Sequence, residues 1–314
     1  MNEEISAFLL LGVLLSIIKC SGKLFKENVM KIRTATVVVV LAFLTSTVFA
    51  VSHIGPPTAE LNKGQWSGGF NYSYSKQDLE KTKVKWAWYD DGVLSDTGTT
   101  RVKIKDVKTN LYYFNVGYGI DDWWQLYVQL GVADVKANAN TGGDDSYFEG
   151  GKFGLNFDND FAWGWGTKVT FAKQDKIDWG AAFQMNWLNT SVSGKSADSG
   201  TDWSESWKDT VDIKTYDLLL AVGPTVDMGG WKLYGGPFFY YLSGDLTAKE
   251  SGIGTDTGGD YTWSGRAKGD LKADGNFGGY IGAQFELAKN CNATIELSST
   301  GNGWGLGTGI TFKF

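Results

Sequence analysis

The chain has 314 residues, a net charge of −6, one histidine and two cysteines. The acidic balance argues against nucleic acid as a partner, because binding to phosphates needs a basic face. Aromatic residues make up 15% of the chain and 42 glycines stand beside four prolines, a composition that suits many strands joined by turns.

The second apolar stretch of the chain has the layout of a secretory signal peptide. Residues 36–49 follow a basic region and end at Val48-Phe49-Ala50, a cleavage site of small residues. The sequence therefore predicts a signal peptide over residues 30–50, with cleavage after Ala50.

An earlier apolar stretch covers residues 5–18. Met30 stands where the signal peptide would start, so residues 1–29 are predicted to come from an upstream start codon and to be absent from the product. The alternative is that the first stretch is a membrane anchor. Its fourteen mostly apolar residues are short against the about 20 that a spanning helix needs.

Cleavage after Ala50 would leave one cysteine, Cys291, and one histidine, His53, at a net charge of −8. An intrachain disulfide is then impossible, and Cys291 is interpreted as a small apolar wall residue. Residues 51–63, which include His53, are expected to form a flexible periplasmic lead. Residues 64–314 show no composition break and are predicted to be one domain.

In residues 64–314, apolar side chains alternate with glycine and polar side chains at a period of two. Trp179 and Phe183, for example, alternate with Gly180 and Gln184. This pattern predicts strands with one apolar face, and no helical period interrupts them. Eleven strands can be placed, at residues 64–75, 105–119, 124–135, 147–157, 161–173, 177–189, 211–226, 231–247, 270–287, 292–299 and 303–314.

The predicted connections come in two sizes. Short turns are expected at residues 121–122, 158–160, 227–230 and 288–290, and long polar loops at residues 76–101, 190–209 and 248–269. Short turns at one rim and long loops at the other are typical of membrane barrels. Both chain ends then lie on one side, which requires an even number of strands. Twelve are predicted, with ten as the alternative, and the miscounted strand is expected in residues 81–101 or 173–177.

The last strand, Gly303–Phe314, places Trp304 and Phe312 on one face and glycines with Lys313 on the other. A chain that ends on such a strand and on an aromatic residue resembles the bacterial outer-membrane β-barrel proteins of the porin-like superfamily. The resemblance implies an all-β, antiparallel, up-and-down transmembrane barrel in the outer membrane of a Gram-negative-type bacterium. It also implies that Phe314 is part of the signal read by the barrel-assembly machinery, and that outer-membrane lipid is a partner.

The alternative is a soluble secreted barrel or sandwich whose core is the aromatic face. The tryptophans near predicted strand ends, such as Trp66 and Trp231, argue for membrane interfaces instead. If the aromatic face meets lipid, the other face lines the lumen. The predicted lumen-lining charged residues are Lys152, Lys168, Asp178, Asp217, Lys232, Glu286, Glu296 and Lys313.

Equal numbers of acidic and basic lumen residues predict either a core plugged by ion pairs or a narrow pore without strong ion preference. The leading hypothesis is a small porin-like channel for polar solutes. The alternative is a closed structural or adhesive barrel that acts through its extracellular loops.

Enzyme activity is not expected, because a histidine ahead of the first strand cannot complete a Ser-His-Asp arrangement at the rim. The carboxylate pairs Asp90-Asp91 and Asp144-Asp145 are interpreted as solvated turns. No metal and no other cofactor is predicted. Residues 141–145 and 254–260 are rich in oxygen-bearing side chains, but they lack the ligand spacing of a calcium loop.

Overall fold

The computed structural model describes residues 52–141, 152–199, 204–274 and 276–314. The predicted signal peptide, the stretch before it and most of the oxygen-rich stretch at 141–145 lie outside these residues. In the part of the chain that the structure describes, no helix is long and apolar enough to cross a membrane. The strands are β1 (Trp66–Gln77), β2 (Thr82–Asp90), β3 (Val93–Asp121), β4 (Trp124–Thr141), β5 (Lys152–Gln174), β6 (Ile177–Ser199), β7 (Ser204–Asp227), β8 (Trp231–Asp256), β9 (Gly259–Lys272), β10 (Phe277–Ala288), β11 (Cys291–Thr300) and β12 (Gly303–Lys313).

Ten of the described strands form a closed antiparallel ring, in the order β1-β12-β11-β10-β8-β7-β6-β5-β4-β3. The ring closes because β1 pairs with both β12 and β3, so that Phe70 has Ile310 on one side and Phe114 on the other. The backbone of Trp66 also exchanges two hydrogen bonds with Phe314, of 3.0 and 2.9 Å. The prediction of an all-β antiparallel barrel is confirmed.

Strands β2 and β9 lie above the ring and continue its wall. β3 pairs with β1 through Val107–Tyr118 and with β2 through Val93–Val102. β8 likewise pairs with β10 and then, from Ser243 onward, with β9. β2 and β9 pair with each other and so take the place of β1, β12, β11 and β10.

The result is a second sheet in the order β6-β7-β8-β9-β2-β3-β4-β5, which we call the upper sheet. Among the described residues, β5 and β6 pair only as far up as Ala162 and Leu188. Above that pair the two strands are edges, linked by a hydrogen bond from the Thr190 hydroxyl to Asp160. The lower rim of the ring carries the short turns and the end of β12.

Several strand positions differ from the predictions. The predicted loop at 190–209 is largely strand, since β6 runs to Ser199 and β7 begins at Ser204, and the predicted strand at 270–287 is divided between β9 and β10. β2 is the strand expected in residues 81–101, and its two-residue turn to β3 is Asp91-Gly92, with φ angles of 49° and 77°. β9 occupies a predicted loop. β5 is continuous, so the predicted turn at 158–160 is wrong; a register shift against β4 between Ala133 and Val135 absorbs this Asp-Asn-Asp stretch.

The outer face of the ring is apolar and exposed. The Phe114 side chain is 56% exposed, and the indoles of Trp163 and Trp187 stack at 4.3 Å on this face. An exposed apolar belt that encircles a molecule is stable only against an apolar solvent. The ring therefore spans a membrane, and the interpretation of the aromatic face as the core of a soluble protein is wrong.

Candidate functional site in the barrel lumen

Residues Ser52–Leu61 run inside the ring, and we call them the lumen segment. Gly64 has a φ of 76° and its amide donates to the Gly119 carbonyl at 2.8 Å, where the chain turns from β1 into the barrel. From that turn Ser52–Thr58 are all buried. A flexible periplasmic lead was expected over residues 51–63, and for the lumen segment that prediction is wrong.

Glu296 on β11 binds the backbone of the lumen segment. Its two carboxylate oxygens accept hydrogen bonds from the amides of Ile54 and Gly55, at 2.9 and 2.8 Å, and the residue is only 2% exposed. His53 lies beside it, with Nε2 at 3.0 Å from the Thr294 hydroxyl and Nδ1 at 3.8 Å from Glu296. A buried backbone amide needs an acceptor, and these lumen side chains supply it.

Other strands hold the rest of the segment. The Thr58 and Thr225 hydroxyls share a hydrogen bond of 2.9 Å, and the Ala59 amide donates to the Thr170 hydroxyl at 2.9 Å. The Gln125 side-chain oxygen accepts from the next two amides, at 2.7 and 3.2 Å. Lys313 donates to the Glu60 carbonyl at 3.0 Å. With the hydrogen bond of 3.3 Å from Asn186 of β6 to the Ser52 hydroxyl, the segment is attached to β4, β5, β6, β7, β11 and β12.

Glycines of the wall make room for the segment. A Cβ on Gly307 of β12 would lie 2.5 Å from the His53 ring, and one on Gly180 of β6 would lie 2.7 Å from the Pro57 carbonyl. The glycine face of the last strand therefore borders a packed peptide.

The structure distributes the predicted lumen residues over three settings. Lys168, Asp217 and Glu296 lie on the inner face at mid-height, where Lys168 is 7% exposed and Asp217 accepts a 2.8 Å hydrogen bond from Asn186. Lys313 contacts the lumen segment. Asp178, Lys232 and Glu286 occupy inner-face positions at the lower rim. The Lys152 side chain lies outside the described part of the structure. Phe314 is 73% exposed on the outer face.

Uncharged polar side chains complete the inner face of the ring. The Tyr127 hydroxyl donates to Gln184 at 2.8 Å, and the Gln129 amide donates to Asn186. Asn186 also lies 3.3 Å from the Ser52 hydroxyl, at the upper end of the lumen segment.

Above the lumen segment the interior becomes apolar. Val84, Ile104, Ile213 and Leu271 are buried there in one hydrophobic cluster that reaches down to Ile54. They come from β2, β3, β7 and β9, so the cluster bridges the upper sheet. At this height the described interior is thus filled by packed apolar side chains.

The outer face of the upper sheet is charged. A groove of about 560 Å³ lies across β2, β9, β8 and β7. Six of its lining residues are basic and three are acidic: Lys83, Lys85, Lys214, Lys249, Arg266, Lys268, Asp212, Asp245 and Asp270. Lys249 and Asp212 form an ion pair at 3.9 Å. Charges at this height indicate that the wall here faces water, because lipid would disfavour them.

The described residues contain no group of three His, Cys, Asp or Glu side chains that could hold a metal ion. Residues 254–260 form the β8–β9 turn, in which Asp256 accepts from the Gly258 amide at 2.6 Å. Asp91 in the β2–β3 turn accepts from the Thr262 amide at 2.7 Å. The carboxylates of Asp256 and Asp91 thus accept hydrogen bonds from backbone amides of their turns and neighbouring strands.

The sequence reasoning missed the lumen segment and the interior of the upper sheet. A signal for the second is present in residues 81–101, where a strand is expected but not placed. Lys83 and Lys85 fall on one face of such a strand, and Trp86 and Trp88 fall on the other.

A closed antiparallel barrel with an apolar outer belt is the architecture of bacterial outer-membrane proteins, and both features are present. The chain is an outer-membrane β-barrel. No protein-family model matches it, and no curated protein does. Similar solved structures share the fold alone.

Three of these solved structures are bacterial outer-membrane proteins. The outer membrane protein OprG from Pseudomonas aeruginosa is 9% identical, with 81% of this chain and 97% of OprG covered at a TM-score of 0.37. The outer membrane protease OmpT from Escherichia coli is 9% identical, with 82% of this chain and 99% of OmpT covered at a TM-score of 0.35. The attachment invasion locus protein Ail of Yersinia pestis is 14% identical, with 80% of this chain and 99% of Ail covered at a TM-score of 0.22.

Proposed function

We propose that this protein is a closed outer-membrane barrel that acts through its extracellular sheet, and that it is not a channel. In this orientation the lower rim, with its short turns, is periplasmic and the upper sheet is extracellular. The alternative of a small channel for polar solutes requires a water path through the lumen.

The observation that carries the proposal is the lumen segment. Its amides and side chains are bound by six strands, and the Glu296 carboxylate accepts two of these hydrogen bonds. Hydrogen bonds to a charged group contribute about 1.5–3 kcal/mol each. A segment held in this way is a fixed part of the barrel, and it obstructs the periplasmic half of the lumen.

A second barrier lies above the first. The hydrophobic cluster with Ile104, Ile213 and Leu271 packs apolar side chains from several strands against one another above the lumen segment. Water and ions would have to pass both barriers in series, so that opening one barrier alone would not create a path.

The long strands support a role outside the membrane. β7 and β8 have 24 and 26 residues, whereas β11 and β12 have 10 and 11. The additional length forms the upper sheet together with β2 and β9, and the charged outer groove lies on it. The protein thus presents a large ordered surface to the exterior.

Single-channel recording in planar bilayers tests the proposal. The wild-type protein should give no conductance steps. Deletion of residues 53–58 removes the first barrier, and Ile104→Ala with Leu271→Ala opens the second. Each change alone should remain silent, because the other barrier persists, and their combination should conduct.

Heat-modifiable migration on a gel serves as the folding control for every variant. Discrete conductance steps from the wild-type protein would contradict the proposed closure. A folded combined variant that stays silent would contradict the assignment of the two barriers.

Three further predictions remain proposals of the same kind. We expect the protein to have no enzymatic activity, to contact outer-membrane lipid through its apolar belt, and to be recognised by the assembly machinery through Phe314.

A further inference from the structure

Five aromatic residues lie on the inner face of the upper sheet, beyond the hydrophobic cluster. They are Trp86, Trp88, Trp207, Tyr261 and Trp263, and we call this surface the aromatic face. The register places Trp86 beside Ala267 and Trp88 beside Gly265, on the same side of the sheet as the buried Val84. All five side chains are half-buried, so the surface is in contact with solvent.

Glycines lie directly under four of these rings. A Cβ on Gly98 would overlap the indole of Trp86, and one on Gly252 would overlap that of Trp263. Gly254 and Gly265 lie in the same way under Tyr261 and Trp88. The rings therefore lie flat against the inner side of the wall.

Carboxylates fix the polar edges of two rings. The Tyr261 hydroxyl donates to Glu205 at 2.5 Å, and the Trp263 indole N–H donates to Glu250 at 3.4 Å. The two rings stack on each other at 5.8 Å with an interplanar angle of 29°. The hydrogen bond to Glu205 raises the pKa of Tyr261 to about 12. These contacts hold the rings in one orientation.

The charged side chains at the described inner-face positions of the upper sheet are acidic. Asp198, Glu205, Asp209 and Glu250 occupy inner-face positions of β6, β7 and β8 around the aromatic rings. Among the described inner-face positions of the upper sheet there is no lysine or arginine, and the basic side chains are on the outer face. The described inner surface therefore combines half-buried aromatic rings with acidic side chains.

An aromatic ring carries negative charge density on its face and attracts cations, most strongly those that shed water easily. We infer that the aromatic face binds a small organic cation with an alkylammonium group. This inference rests on the proposed function, since it assigns a ligand class to the extracellular sheet. The ring faces would contact the alkyl groups, and Glu205 and Glu250 would supply the counter-charge.

Choline and its uncharged isostere 3,3-dimethylbutan-1-ol test this inference, because they match in shape and differ in charge. Binding to the full-length processed protein can be followed by calorimetry and by tryptophan fluorescence. The protein should be in a maltoside detergent, since zwitterionic detergents carry the same alkylammonium group. Choline should bind at least about tenfold more tightly than the alcohol. Added salt should weaken the binding of choline and leave the binding of the alcohol unchanged.

Two variants locate the site. Trp263→Leu and Glu250→Gln should each weaken choline binding by about three- to thirtyfold, the range that a cation–π contact spans. Asp245→Asn is the matched control, because Asp245 lies on the outer face of the same strand as Glu250. It should bind choline as the wild type does.

Equal affinity for choline and the alcohol, no binding of choline, or loss of binding in Asp245→Asn would each overturn the inference. None of these results would bear on closure of the lumen, which the conductance experiment measures separately. Heat-modifiable migration again shows whether each variant is folded.

Discussion

The ring and the upper sheet are built from the same strands, yet their inner and outer faces have opposite polarity. On β7 the outer face of the ring carries Leu218, Leu220 and Val222, whereas higher up the same face carries Lys214 and Asp212. The inner face changes from polar to apolar, since it carries Asp217 in the ring and Ile213 in the upper sheet. The alternation of the strand is not interrupted between the two regions.

The difference shows that the surroundings of each face decide its composition. The outer face meets lipid around the ring and water above it. The inner face of the ring encloses the backbone of the lumen segment, whose amides need acceptors such as Glu296 and Gln125. Just above, the described interior is filled by apolar side chains such as Val84, Ile104 and Leu271.

The largest effect is expected inside the upper sheet. Leu271→Ala removes a side chain that is 2% exposed and should lower the free energy of unfolding by about 2–5 kcal/mol, through lost burial and a cavity. Denaturant unfolding in detergent micelles measures it. A change below about 0.5 kcal/mol would mean that the upper interior is not packed.

A charge on the outer face should have a smaller effect that depends on height. Leu220→Lys places a charge against lipid and should cost about 2–4 kcal/mol in a bilayer. Ser206→Lys, on the same face of β7 but in the upper sheet, should change stability by less than about 0.5 kcal/mol. Refolding titrations into lipid vesicles compare the two, and equal costs would contradict the placement of the membrane edge.

The smallest expected effect is the difference in stability between Glu-to-Gln variants at two glutamates of the ring. Glu296→Gln keeps the shape of the side chain but weakens its hydrogen bonds to Ile54 and Gly55, and it should cost about 1–3 kcal/mol. Glu286→Gln, at the exposed lower rim, should cost less than about 0.5 kcal/mol. The urea midpoints of both variants in detergent give the comparison. Indistinguishable midpoints would show that Glu296 does not hold the lumen segment.

The ring could be predicted from the sequence because lipid imposes one rule on every strand that crosses it. Trp304 and Phe312 were assigned to the outer face by alternation, and both are exposed there. The short turns at 121–122 and 288–290 were also recognised, because acidic and polar residues interrupt the apolar rows.

The upper sheet and the lumen segment could not be predicted in the same way. β2 and β9 have polar outer faces, and this composition is also typical of loops. The sequence therefore predicts a strand in residues 81–101 without fixing its position, and it predicts a loop where β9 lies. The Asp-Asn-Asp stretch at 158–160 likewise has the composition of a turn. The lumen segment has no period at all, since Pro56 and Pro57 exclude a regular strand, and only the partners of its amides place it.

Hydrogen exchange at individual backbone amides of the lumen segment tests the central claim most directly. In the folded barrel the amides of Ile54, Gly55 and Ala59 should exchange at least about a hundredfold more slowly than in an unstructured chain, because lumen side chains accept their hydrogen bonds. Exchange of these three amides at the rate of an unstructured chain would contradict a closed lumen.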